Sequence, residues 1–164
     1  MGIRHPSFRA YSHWRMETKR GAETLSFVDA ISEVGRRRVA DAPVGVHRVF
    51  SYVERGFYAS QVRRVLALFP PDRTLFFRTD HLWCNPMSIL GAIEVHLGVE
   101  PRLLEGQRYI APIDSRDVIG DFDAARPALD ALFTDDIRET AALTGLALDD
   151  WLSPSYQEPM GSAA

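Results

Sequence analysis

Arg4-His5-Pro6-Ser7-Phe8-Arg9-Ala10-Tyr11-Ser12-His13-Trp14 stands near the start of the chain and decides how the rest is read. Pro6 suits the first position of a helix, where its missing N–H would have had no intrahelical partner. A strand ending near Arg4 and a helix opening at Pro6 put Arg4 at the strand's carboxyl end and Ser12 about two turns up the helix. Open α/β sheets bind their ligands at that end of the strands. A planar guanidinium and a hydroxyl near the first turns of a helix supply the convergent donors a phosphate dianion needs, where the helix dipole also favours negative charge. The same run also reads as a surface turn leading into an amphipathic helix, with Phe8, Tyr11 and Trp14 as core contacts at helical spacing.

Outward from this segment, Ser26 and Asp29 stand in a capping-box relation and announce a helix with Phe27, Ile31 and Val34 on one face. That helix is expected to end near Arg36-Arg37-Arg38, a triplet that reads as a solvated, dipole-compatible terminus or as a contact for an anionic substrate. Asp41-Ala42-Pro43-Val44-Gly45 breaks the pattern. The next helix is predicted over residues 57–69, because Tyr58, Val62, Val65, Leu66 and Phe69 share a stripe and Pro70-Pro71 stops it. Thr74-Leu75-Phe76-Phe77-Arg78 reads as a strand buried on both faces of a parallel sheet. Asn85 and Pro86 open a helix using Ile89, Leu90, Ile93 and Leu97, closed by Gly98. Residues 99–123 look loop-like. Pro127 opens a last helical region through Leu129, Leu132 and Phe133, continued after Thr134-Asp135-Asp136 to Thr144-Gly145, with Trp151 packing back.

The chain has 164 residues, 46% hydrophobic and 25% charged, which fits one globular domain with a real core. Residues 1–152 are expected to form that domain, and 153–164, rich in Pro, Gly, Ser and Ala, a flexible tail. A net charge of −3 offers no overall basic surface, so nucleic acid is not an expected partner. The one cysteine, Cys84, excludes an internal disulfide framework and suits a reducing compartment. No apolar run reaches bilayer length and residues 1–20 are too charged for a secretory signal, so no membrane association and a cytoplasmic location are expected. His5, His13, His47, His81 and His96 form no two-histidine helical motif, and His81 with Cys84 makes a poor zinc pair, so no metal is expected. His13 reads as a packing or capping residue.

Further segments follow in a telling order. Ser51-Tyr52-Val53-Glu54-Arg55-Gly56-Phe57-Tyr58-Ala59-Ser60-Gln61, then Leu66-Ala67-Leu68-Phe69-Pro70, resembles an Arg-Gly-x-Tyr-x-x-Gln segment of bacterial and heparan-type sulfotransferase domains. Residues 4–14 resemble the 3′-phosphate-binding segment of the same family, whose members use 3′-phosphoadenosine 5′-phosphosulfate (PAPS). Residues 75–82 are similar to the following strand, although the family's Glu-Asp-Leu end is here Thr79-Asp80-His81-Leu82, which leaves the acid without an assigned structural role. Asn85-Pro86 through Leu97-Gly98 resembles the next helix, and Leu132-Phe133 through Thr144-Gly145 and Trp151-Leu152 resembles the closing segment. The resemblance covers residues 4–152 and about the last two-thirds of the family domain.

It implies an α/β fold, the P-loop NTPase-like sulfotransferase fold in its C-terminal portion, mostly helical with few parallel strands. The implied reaction moves a sulfuryl group from PAPS to a hydroxyl or amine, a carbohydrate first, and leaves 3′-phosphoadenosine 5′-phosphate (PAP). Arg4 and Ser12 match the family's 3′-phosphate positions, and Gly106-Gln107-Arg108-Tyr109 is similar to its nucleotide-closing loop, which makes Arg108 and Tyr109 further cofactor-binding candidates. The family's Lys/Gly/Thr-rich 5′-phosphosulfate loop and its catalytic base lie upstream of the first segment. The sequence holds no such loop and only one lysine, Lys19. An N-terminally truncated domain is therefore expected, a poor catalyst alone, with no residue assigned to proton transfer. The alternative is an inactive remnant that binds a nucleotide or a partner. Either way, a second copy or a partner chain is expected to cover an exposed sheet edge.

Overall fold

A computed structural model describes residues 1–40, 42–100 and 119–159. Strand β1 (Gly2–Ile3) and helix α1 (Pro6–Lys19) realise the opening segment, with Pro6 at the first helical position. Strand β2 (Phe77–Arg78) lies parallel to β1, pairing Gly2 with Phe77 and Ile3 with Arg78. Among the described residues these two strands are the whole sheet. With a single neighbour, residues 74–77 stay half-buried, which corrects the expectation of a strand covered on both faces.

Between the strands lie α2 (Phe27–Ile31), α3 (Glu33–Arg36), a 3-10 turn at Glu54–Gly56 and α4 (Tyr58–Leu68); after β2 come α5 (Thr79–Cys84), α6 (Pro86–Leu97) and α7 (Ile119–Thr144). Ser26 caps α2 as its capping box requires, accepting from Asp29 N at 3.1 Å and donating to Asp29 Oδ2 at 2.7 Å. The helix read as continuous from Ser26 breaks at Ser32, whose ψ of 162° is extended and whose Oγ recaps α3 on Gly35 N. Gly35 packs so closely on α2 that a Cβ there would sit 2.2 Å from Asp29 O, and Val34 turns outward instead of sharing the apolar face. α7 starts inside the stretch read as a loop and carries Pro127 in its interior. Asn85 and Gly98 cap α6 as expected, Gly98 at a left-handed φ of 66°. No residue of α6 is fully buried, and Leu97 is largely exposed despite its place in the apolar pattern.

The core gathers Ile3, Trp14, Phe27, Tyr52, Leu129, Phe133 and Trp151 between α1, α2 and α7. Polar links tie it down. Glu23 is buried and accepts from both Nη atoms of Arg38 (3.0 and 2.9 Å), from Tyr52 Oη (3.0 Å) and from two backbone amides. Burial alone would raise its pKa, but these bonds outweigh it and hold Glu23 below the usual carboxylate range. Arg36 pairs with Glu54 at 2.7 Å, so two members of the Arg36-Arg37-Arg38 triplet are structural anchors and only Arg37 sits in an exposed pair, with Glu33. Arg78 is buried and forks onto Asp80 (3.1 and 2.6 Å) and Asp150 (both 2.7 Å). Asp80 therefore has a structural role, which corrects the sequence reading: it ties the end of β2 to the turn at Asp149–Leu152 through Arg78.

The stretch read as a flexible tail is described as far as residue 159, and there it packs. Tyr156 stacks on His5 (4.9 Å between ring centres, 11° between planes) and donates to Asp80 Oδ2 at 2.9 Å. Trp151 is buried against the body, as its place in the sequence suggests.

Candidate functional site

Arg4 follows β1 directly and precedes the first turn of α1, the strand-end position read from sequence. Its backbone carbonyl accepts from Tyr58 Oη at 2.9 Å, which fixes Arg4 against α4. Its guanidinium lies 5.0 Å from the centre of the Trp83 ring and forks onto Glu158, Nε to Oε1 at 2.8 Å and Nη2 to Oε2 at 2.5 Å. Ser12 is half-buried on the next turns of α1. Arg108 and Tyr109 lie outside the described residues.

The turn at Glu54–Gly56 brings a second guanidinium toward this place. Gly56 is required there by packing: a Cβ would meet Phe133 Cζ at 2.7 Å and Pro6 Cβ at 3.2 Å. Gln61 Nε2 donates to the carbonyls of Arg55 (3.1 Å) and Phe57 (2.8 Å), holding the turn closed over the start of α4. The Arg-Gly-x-Tyr-x-x-Gln spacing thus has a physical meaning in this chain. Gly56 lets the turn touch α1 and α7, Tyr58 grips the Arg4 backbone and Gln61 fixes the backbone of Arg55.

Arg9, one turn into α1, is the contributor that sequence reasoning missed. It donates through Nη2 to Tyr52 O, while its Nε is buried with no partner among the described residues. Burial lowers its pKa most, and the positive charges of Arg55 and Arg4 lower it further. His13, on the same face of α1, is buried and held down to about 4, by desolvation first and then by Arg9 and Arg55. Its Nε2 lies 3.7 Å from Glu17, which only partly offsets those effects. Burial pushes Tyr58 up to about 12, so it stays a neutral donor to Arg4. The signal that could have found Arg9 was its spacing, since residues 9 and 12 share a helix face, about one and nearly two turns beyond Pro6.

The overlapping fields of Arg4, Arg9 and Arg55, together with the planar fork of Arg4, favour an anion here. The carboxylate of Glu158 takes that role in this structure. Two clefts lie elsewhere among the described residues: about 270 Å³ beside His81, Cys84 and Ser88, and about 400 Å³ beside Arg126, Asp130 and Leu152. Among the described residues no group of three or more His, Cys, Asp or Glu side chains is arranged to hold a metal ion, and no helix is long and apolar enough to cross a membrane.

The fold is similar to the crystal structure of a sulfotransferase from Alicyclobacillus acidocaldarius, with a TM-score of 0.70 at 23% sequence identity. The match covers 92% of this chain and 55% of that one, so the chain spans about half the length of its structural neighbour. No family model matches the chain, and no curated protein does. The mostly helical arrangement around a small parallel sheet is thus a sulfotransferase-like fold.

Proposed function

We propose that this chain is the 3′-phosphate-binding portion of a sulfotransferase that uses PAPS as donor and a hydroxyl or amine as acceptor, a carbohydrate in the first instance. The observation that carries this reading is the fork of Arg4 at the end of β1, fixed by Tyr58 and already closed on an anionic group. The chemistry of the donor set fits a phosphomonoester: a planar guanidinium matches two of its oxygens, and Arg9 and Arg55 add positive field that Glu54, paired with Arg36, offsets only in part. Arg4 and Ser12 would hold the 3′-phosphate of the nucleotide. PAPS, when bound, supplies the activated sulfuryl group.

The chain's own residues bind and orient; none is assigned to moving a proton. Ser12 contributes a hydroxyl to the phosphate, Tyr58 and Gln61 keep the two backbone segments in register, and the low pKa of His13 keeps it neutral beside the arginines. The resemblance puts the loop that handles the 5′-phosphosulfate, and the acceptor-activating base, upstream of the segment that residues 4–14 resemble.

The reading is tested by incubating the protein with ³⁵S-labelled PAPS and a panel of saccharide acceptors, alongside calorimetric titration with PAP. Binding of PAP that is weakened at least about tenfold by Arg4→Ala is expected from the loss of a charged, bidentate contact. Binding without transfer of label would favour the inactive, nucleotide-binding alternative. Absence of PAP binding would remove both.

A further inference from the structure

We propose that residues 153–159 form a strap that fills the Arg4 anion site with the carboxylate of Glu158, and that a phosphate-bearing ligand enters by displacing it. The inference rests on the phosphate-binding reading of Arg4 and adds a built-in competitor to it. Glu158 presents two oxygens to Nε and Nη2 of Arg4, the same fork that a phosphomonoester would engage. Ligand and strap therefore cannot hold Arg4 in this way together.

The strap has an anchor separate from its plug. Tyr156 stacks on His5 and donates to Asp80, whereas Glu158, two residues later, reaches Arg4. Only Gln157 stands between them, and it is exposed. Residues 157–159 can swing away while Tyr156 keeps its contacts, so release needs no unfolding of the core. The bond at Glu158 is also poorly repaid: burial, helped by the negative charge of Asp80, raises its pKa despite the Arg4 fork, so the carboxylate sits in a setting less favourable than water. A phosphate dianion brings about twice the charge to the same fork, and the fields of Arg9 and Arg55 reward that charge as well. A monoanionic carboxylate is thus strong enough to keep the site closed against weak anions and weak enough to yield to the right one.

The test uses the full chain, titrated calorimetrically with PAP, as the wild type, as Glu158→Gln and as Arg4→Ala. Glu158→Gln keeps the size of the side chain and removes its charge; PAP is expected to bind it about tenfold tighter than the wild type, as a lost charge-assisted competitor implies. Hydrogen exchange followed by mass spectrometry gives a second readout, in which PAP is expected to speed exchange at the amides of Gln157 and Glu158 of the wild type. Equal or weaker binding by Glu158→Gln, with Arg4→Ala still defective, overturns the strap and leaves the phosphate site standing. Slower or unchanged exchange on adding PAP overturns the strap as well. No binding by any of the three proteins overturns both the strap and the site.

Discussion

Tyr58 shows how one hydroxyl can govern a site it does not enter. Its bond to the Arg4 carbonyl spans 54 positions of sequence and joins the end of β1 to the start of α4. Tyr58→Phe leaves that carbonyl without its partner in a buried place, and a loss of about 1–2 kcal/mol of stability is expected in urea unfolding. PAP affinity should fall in the same variant although no ligand contact has been removed; an unchanged affinity would mean that Arg4 is positioned by other means. His13 carries a second residue-scale consequence. Its pKa of about 4 in the fold lies below the ordinary 6.5. The unfolded chain therefore takes up the proton first, and stability is lost as pH falls from about 6.5 to 4, by up to about 3 kcal/mol from this group. His5 is shifted the same way, by burial first, and adds to the same window. Unfolding measured at pH 7 and pH 5 should show a smaller loss in His13→Gln than in the wild type, with the remainder due to His5. Equal losses in the two proteins would contradict the buried, neutral state of His13. The positions of Arg4 and Pro6 were legible at this scale because local backbone chemistry sets them, whereas the buried charge of Arg9 was not, since it depends on how distant segments pack over it.

At the scale of elements, the helices borrow their ends from one another. α4 has no side-chain cap of its own; Asp136, on α7, accepts from Tyr58 N at 2.7 Å and from Ala59 N at 3.2 Å. Burial raises the pKa of Asp136, and the two amide bonds oppose that shift without cancelling it. Asp136→Ala should cost about 1–2 kcal/mol, the usual worth of an N-cap, and Asp136→Asn should recover part of it in the same denaturation series. No change on Asp136→Ala would show that α4 is held by packing alone. Such a cap in trans cannot be read from spacing, because its two halves are 78 positions apart. The caps that were legible, Ser26 with Asp29 and Asn85 with Gly98, are local. Where the reading failed, longer-range contacts won. The second helix breaks at Ser32, which recaps α3 and folds Gly35 back onto α2, and Asp80 gains its role from Asp150, through Arg78, and from Tyr156, both distant in sequence.

The whole molecule is a sulfotransferase-like fold whose apolar pattern exceeds what its own core uses. Phe69, just after α4, and Leu97, at the end of α6, are exposed although the sequence places them in apolar stripes, and Leu68 and Val95 are exposed beside them. Periodicity revealed which faces are apolar; it could not reveal which of them this chain itself covers. The surroundings of Arg4 have the same character, since its strand-end position was legible from one segment while Arg9 and Arg55 come near it only in the fold. The function proposed for this site requires Arg4 to grip a ribose 3′-phosphate. The most direct measurement compares the affinities of PAP and adenosine 5′-monophosphate, which lacks that phosphate, for the wild-type chain and for Arg4→Ala. A preference for PAP of at least about tenfold in the wild type, lost in Arg4→Ala, is the expected result. Equal affinity of the wild type for the two nucleotides, or a preference that survives in Arg4→Ala, would contradict it.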